Sequence, residues 1–201
     1  MGIELFHKLS HEKQAEILAA SLAEFAAYGF DLASTNRIVE RAGISKGVLF
    51  KYFASKESLL LYLVEREAAT EQAANEELLQ SLPVDFFAAL RHLAVGELSR
   101  REAHPDRYAL FEQVLEGAGH PVYDRAGALL ARAAGEVYAR LAEALQRSSL
   151  RPGVPFDRVM NLVSWVSDGV KRQYRGRRVD AEAVLADLDA YFDLLRQGLG
   201  P

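Results

Sequence analysis

Ser34-Thr35-Asn36-Arg37-Ile38-Val39-Glu40-Arg41-Ala42-Gly43-Ile44-Ser45-Lys46-Gly47-Val48-Leu49-Phe50-Lys51-Tyr52-Phe53 is the most sharply patterned segment of this 201-residue chain. Ser34 and Ser45 stand where N-caps belong, and Ile38, Val39, Ile44, Leu49 and Phe53 recur at helical spacing. The pattern predicts two short helices, Thr35 to Ala42 and Lys46 to Tyr52, joined by Ala42-Gly43-Ile44-Ser45. Gly43 can take positive φ without steric cost, so the second helix can leave the first at a steep angle. Two short helices around such a turn form a helix-turn-helix, whose second helix fits the major groove of DNA.

Helices of about seven residues do not persist alone, because nucleation is unfavourable. Support is available upstream. A helix is predicted from His11 to Tyr28, with Ser10 as N-cap, Glu12 in the first turn, an apolar face of Ile17, Leu18, Leu22, Phe25 and Ala26, and Gly29 as its end. The inward residues of the two short helices meet that face, giving a three-helix unit. A longer helix follows from Ser55 to about Gln80, then helical patterns at roughly 84–101, 106–116, 122–149, 156–174 and 181–198. Strand alternation, internal repeats and low-complexity segments are absent, and all six prolines lie at or beyond Pro83, where one pattern stops and the next begins. The expected fold class is all-α, with a boundary between residues 54 and 55.

Composition narrows the function. Half of the residues are hydrophobic, enough for a real core, and the absence of cysteine removes disulfide scaffolds, thiolate metal sites and cysteine nucleophiles together. The formal charge of −4 argues against a chain coated in cations for non-specific nucleic-acid binding. Between Ser34 and Lys56, however, Arg37, Arg41, Lys46, Lys51 and Lys56 face Glu40 alone. The longest uncharged stretch, Val159 to Ser167, falls well short of the roughly 20 apolar residues of a membrane span. Phe6 occupies the position where an N-terminal acylation signal needs Ser or Thr, and no basic segment precedes an apolar one. A cytoplasmic protein is expected.

With its inward residues removed, the second short helix presents Lys46, Gly47, Val48, Phe50, Lys51 and Tyr52. Lys46 lies at the helix start, where free N–H groups already favour a phosphate oxygen, and Lys56 repeats that arrangement at the start of the next helix. Gly47 removes a side chain where backbone must approach the duplex. Val48 suits a thymine methyl, while Phe50 and Tyr52 offer ring edges, and Tyr52 a hydroxyl. No arginine lies on this face, so polar base contacts fall to Lys46, Asn36 and Arg37.

The run from Ser34 to Phe53, continued by Ala54-Ser55-Lys56-Glu57-Ser58-Leu59-Leu60 and preceded by Phe25-Ala26-Ala27-Tyr28-Gly29-Phe30, resembles the DNA-binding signature of the TetR family of bacterial transcriptional regulators. The resemblance covers about 50 residues; the rest matches only in helix number and length. It implies an all-helical dimer, usually a repressor, with a DNA-binding domain at 1–54 and a C-terminal domain at 55–201 that dimerises and binds a small inducer. By position it assigns family DNA contacts to Thr35, Lys46, Gly47, Tyr52 and Lys56, and operator-dependent places to Asn36, Val48 and Phe50. Phe50 departs from the commoner tyrosine and so lacks its hydroxyl.

Competing signals read more simply. Gly43-Ile44-Ser45-Lys46-Gly47 fits the G-x-S-x-G elbow that would make Ser45 the nucleophile of an α/β-hydrolase, but that motif needs a preceding strand, and here a charged helical segment precedes it. A helical adaptor without DNA binding would not need the basic window. His7, His11, His92, His104 and His120 form no metal-ligand pattern and read as surface residues, so neither metal nor cofactor nor enzymatic activity is expected. The basic run Lys171, Arg172, Arg175, Arg177 and Arg178 reads as a helix end followed by a loop at Gly176.

Two apolar stripes close the chain: Phe156, Val159, Leu162, Val163, Val166 and Val170, then Val184, Leu185, Leu188, Tyr191, Phe192 and Leu195. They suit either a monomer core or a four-helix bundle with a second copy. Because a single recognition helix reads too few base pairs to select a site, a homodimer on a palindrome is expected. Candidate ligand-lining residues in the middle helices are Phe86, Phe87, Tyr108, Phe111, Tyr123, Tyr138 and Trp165, with Glu112, Glu116 or Asp168 as polar groups, which points to an apolar or amphipathic compound.

Overall fold

A computed structural model of the chain describes residues 2–147, 153, 155–173 and 181–199. Eleven helices and no strand occur among the described residues, as the all-α reading requires. In order they are α1 (Gly2–Phe6), α2 (His11–Leu32), α3 (Thr35–Arg41), α4 (Lys46–Tyr52), α5 (Lys56–Leu79), α6 (Phe86–Ala103), α7 (Pro105–Glu116), α8 (Pro121–Ala133), α9 (Gly135–Arg147), α10 (Phe156–Gln173) and α11 (Ala181–Leu199).

Three features depart from the sequence expectation. A short helix α1 precedes α2, where no element was predicted. α2 does not end at Gly29 but kinks there, with φ 64° and ψ −177°, and continues to Leu32. The single pattern over 122–149 splits at Ala134 into α8 and α9, which belong to different compact units. Among the described residues no helix is long and apolar enough to cross a membrane.

The chain packs as two units. The first holds the residues up to Ala73 together with His104–Ala134. Its core joins Phe6, Ile17, Phe25, Ile38, Leu49 and Phe53 to Leu60 and Leu63 of α5 and to Leu110, Val114 and Tyr123 of α7 and α8. Packing therefore does not follow the expected division at 54/55, because α7 and α8 add their apolar faces to the same core as the three N-terminal helices. The two seven-residue helices are anchored by one fully buried residue each, Ile38 and Leu49; burying such a side chain contributes about 1.5–3 kcal/mol, which is what holds helices too short to stand alone.

The second unit holds Ala74–Ala103 and the chain from Gly135 onward. Phe86, Phe87, Leu90, Val159, Val163, Val184, Leu188 and Phe192 form its core. Arg91 pairs with Asp189 and Arg196 with Asp85, tying α6 to α11 and α11 to the segment just before α6. The predicted stripes on α10 and α11 are thus divided. Val159, Val163 and Val170, with Val184, Leu188 and Phe192, are monomer core, whereas Leu162 and Tyr191 of those stripes stand exposed, as do Trp165 and Leu194 outside them.

Candidate nucleic-acid interface

Ser34 and Ser45 do cap α3 and α4: the Arg37 N–H donates to Ser34 Oγ at 3.5 Å and the Val48 N–H to Ser45 Oγ at 3.2 Å. Ser45 is therefore an N-cap preceded by helix α3, not a nucleophile on a strand-to-helix elbow. Between the helices Gly43 takes φ 62°, and the Ile44 N–H returns to the Val39 carbonyl at 3.0 Å, which closes the turn. The C-terminal end of α3 has a second clasp. Lys13 on α2 donates its Nζ to the Ala42 carbonyl at 2.8 Å while also pairing with Glu16.

With Leu49 directed into the core, Lys46, Gly47, Phe50 and Lys51 are exposed on α4 and Val48 is half-buried. A Cβ on Gly47 would meet nothing nearer than Ser45 Oγ at 4.0 Å, so no packing within the chain requires glycine there. Tyr52 differs from the expected fully outward residue: its ring is half-buried, edge-on to Phe6 with centroids 5.9 Å apart. On α3, Asn36 is exposed and Thr35 half-buried.

Two cations expected at the duplex are engaged within the protein. Arg37 grips the Glu24 carboxylate through Nε and Nη2, at 2.9 and 2.5 Å to Oε1, stacks its guanidinium 4.4 Å over the Tyr28 ring and reaches the Leu32 carbonyl. Glu24 is only 1% exposed and also accepts the Ser34 N–H at 2.8 Å. Burial pushes its carboxyl upward, but the hydrogen bonds from Arg37 and the Ser34 N–H, with the charges of Arg37 and Arg41, outweigh that and hold it below the ordinary glutamate value. The same pairing raises Arg37 above its usual value. Lys56 donates to the carbonyls of Asp31 and Ala33, at 3.2 and 3.1 Å, and sits 4.6 Å over the Phe30 ring. It seams the end of α2 to the start of α5 and keeps one of its three donors for another partner.

Sequence reasoning missed Glu24 and Lys13. A signal was present for Glu24, a charged residue placed between Ser21 and Phe25 on the buried side of α2. His7, His11 and His104 are exposed as expected, His92 and His120 are half-buried, and three of the five have partners within the chain. His7 Nε2 meets the Tyr62 hydroxyl at 2.9 Å, His92 meets the Leu78 carbonyl, and His120 accepts the Val122 N–H at the start of α8.

The ten ligand-lining candidates fall in both units. In the first, Tyr108 donates its hydroxyl to Glu71 at 2.7 Å beside the half-buried Phe111, Glu112 is half-buried, and the Tyr123 hydroxyl accepts the Phe30 N–H at 2.6 Å. In the second, Phe86 and Phe87 are core residues stacked edge-on. Trp165 is 69% exposed and Asp168 is exposed too, which rules out their enclosure by this chain; Tyr138 and Glu116 are likewise exposed. In the second basic run, Arg172 is exposed, while the Lys171 side chain, Arg175, Arg177 and Arg178 lie outside the described residues.

The profile of "Bacterial regulatory proteins, tetR family" matches residues 17–63, from the middle of α2 through α3 and α4 into α5. The chain is 28% identical over 163 residues to the HTH-type transcriptional repressor Rv1474c of Mycobacterium tuberculosis, covering 79% of this chain and 80% of that one. It is 33% identical over 110 residues to the A-factor receptor protein of Streptomyces griseus, covering 52% of this chain and 37% of that one, so that it spans well under half of that relative's length. Its backbone superposes on the regulator FadR of Bacillus subtilis, solved with stearoyl-CoA, with a TM-score of 0.72 at 16% identity, over 86% of this chain and 96% of that one. The helix-turn-helix built on Gly43 thus lies within a segment, residues 17–63, that matches the tetR family profile, and the chain is similar in its all-helical fold to the solved regulator.

Proposed function

We propose that the chain is a cytoplasmic transcriptional regulator that binds a palindromic operator as a homodimer, represses transcription, and is released by a small apolar or amphipathic inducer. The observation that carries this reading is the outward face of α4. Lys46, Gly47, Phe50 and Lys51 stand exposed along a helix whose only buried residue is Leu49. Such a surface offers two cations to phosphates, a bare backbone segment for close approach and an aromatic edge to the groove. Val48, Tyr52, Thr35 and Asn36 complete the contact set. Arg37 acts through the orientation of α3, and Lys56 adds its remaining donor to a phosphate.

The labour divides near residue 54 even though the packing does not: residues 1–54 read DNA, and 55–201 hold ligand and partner copy. The exposed Leu162 and Trp165, one turn apart on α10, and Tyr191 and Leu194, one turn apart on α11, support pairing with a second copy in a four-helix bundle. An acyl-type inducer is favoured by the fold shared with the regulator solved with stearoyl-CoA. Inducer shifts the dimer to a state whose α4 helices are badly spaced for successive major grooves. α5 is the element to carry that shift, because it starts beside α4 in one compact unit and ends in the other.

A mobility shift with DNA upstream of the protein's own gene tests the reading. The wild-type chain retards that fragment in a salt-dependent manner, and Lys46→Ala both weakens binding and lowers the slope of log affinity against log salt by about 0.9. Equal binding by Lys46→Ala with an unchanged slope removes α4 from the interface. No shift with this fragment, nor with any duplex drawn from a random pool, removes the DNA-binding reading altogether.

A further inference from the structure

The segment before α2 lies outside the residues that match the family profile, yet it touches the recognition helix at its most sensitive end. The last carbonyls of any helix lack intrahelical partners, and α4, with seven residues, has few internal bonds to define its direction. Gly2 lies directly on those carbonyls: a Cβ there would stand 2.6 Å from the Tyr52 oxygen and 2.9 Å from the Lys51 oxygen, distances at which backbone must move. Four residues on, Phe6 is fully buried between the two ends of this region, 5.9 Å from the Tyr52 ring, 5.0 Å from Phe53 and 5.7 Å from Tyr62 on α5. His7 then bonds the Tyr62 hydroxyl, and Gln14 on α2 holds the Leu9 carbonyl at 2.9 Å. Burial pushes the Tyr62 phenol up.

Three of these contacts have separate origins: a missing side chain at Gly2, an aromatic plug at Phe6 and a polar tie at His7. Together they link the C-terminal half of α4 to α5: Gly2 meets α4, His7 meets α5, and Phe6 meets both. The start of α4 is held separately, by the Ser45 cap and the Ile44–Val39 turn bond, and its middle by the buried Leu49.

We propose that residues 2–9 are a positioning element for DNA binding, a brace in which Gly2 and Phe6 set the direction of the second half of α4 and the pose of Tyr52. This rests on the DNA-binding reading of α4. Without the brace, α4 stays attached through Leu49 but its Lys51–Tyr52 end swings, and the contacts of those residues with phosphate are lost while Lys46 keeps its own.

The test uses the full chain and a duplex recovered from a random-sequence pool by the wild type. Gly2→Ala places one methyl group against the Tyr52 carbonyl at a site remote from the rest of the core. The expected result is about a tenfold loss of affinity, with a reduced salt slope and faster hydrogen exchange at the amides of 49–53 but not at those of α2. Phe6→Ala repeats the loss, Phe6→Leu restores most of it, and Leu5→Ala, on the solvent side, changes nothing. Affinity and salt slope equal to wild type in Gly2→Ala overturn the brace. So does equal loss of exchange protection in α2 and α4, which would make residues 2–9 ordinary core. Failure of the wild type to select any duplex instead strikes the DNA-binding reading, so the two failures are distinct.

Discussion

The same substitution, glycine to alanine, should move stability in opposite directions at Gly29 and Gly127. Gly29 sits inside α2 with φ 64° and ψ −177°, a region open essentially to glycine alone, and an L residue held there costs about 1–3 kcal/mol. Its added Cβ would lie 3.0 Å from the Tyr123 hydroxyl and 2.9 Å from Gln113 Oε1. Gln113 is flexible and can yield. Tyr123 is buried and bonded to the Phe30 N–H, so displacing it forfeits a hydrogen bond worth about 0.5–1.5 kcal/mol. Gly29→Ala should therefore destabilise by about 3 kcal/mol, which for a chain of this size lowers the thermal midpoint by roughly 6–12 °C. Gly127 lies mid-way along α8 with nothing within 4 Å of a Cβ, and alanine there should stabilise by about 0.5–1 kcal/mol. Urea denaturation followed by circular dichroism at a fixed protein concentration reads both, with the slope against urea unchanged. A neutral or stabilised Gly29→Ala would show that the kink is not held by the α7–α8 corner, and the account of the end of α2 would fail with it.

Other outcomes follow from single contacts. Gly47→Ala should raise stability by about 0.5–1 kcal/mol, because the site is open and helical, yet weaken DNA binding by blocking close backbone approach; a variant that binds as well as wild type would take Gly47 off the duplex. Glu24 has its native carboxyl below the ordinary value, so its contribution to stability is complete above about pH 4.3 and disappears as pH falls through the lowered native value. The gap in urea midpoint between wild type and Glu24→Gln should therefore be widest near neutrality and narrow in acid, and a gap that widens in acid would contradict the pairing with Arg37. Trp165→Glu should convert a dimer in sedimentation to a monomer of unchanged helical content, and a dimer of wild-type stability would move the interface elsewhere.

Much of the DNA-facing unit was legible from local pattern. α4 spans Lys46–Tyr52 as the caps and spacing predict, and Gly43 takes the positive φ that the turn demanded. Inward Ile38, Leu49 and Phe53 are all buried. What escaped was the destination of charges and the breaks between units. Arg37 reads as a DNA-facing cation until Glu24 is seen beneath it, 13 residues away, and Lys56 until the carbonyls of Asp31 and Ala33 are seen around its ammonium. α1 escaped because five residues give too little periodicity to register. The division of the 122–149 pattern was hidden because both halves are amphipathic at the same period, and only their burial in different cores separates them.

The all-helical class, the caps, the glycine turn and the inward register of the short helices follow from local side-chain order. Each of these depends on interactions within four residues, which the order of side chains specifies. That Arg37 and Lys56 act as internal ties, that Tyr52 leans on Phe6, and that Trp165 is exposed follows from the folded arrangement alone. Those outcomes depend on which distant groups the folded core brings within hydrogen-bond or van der Waals range, and a cation or an aromatic ring carries the same local signature whichever partner it finds.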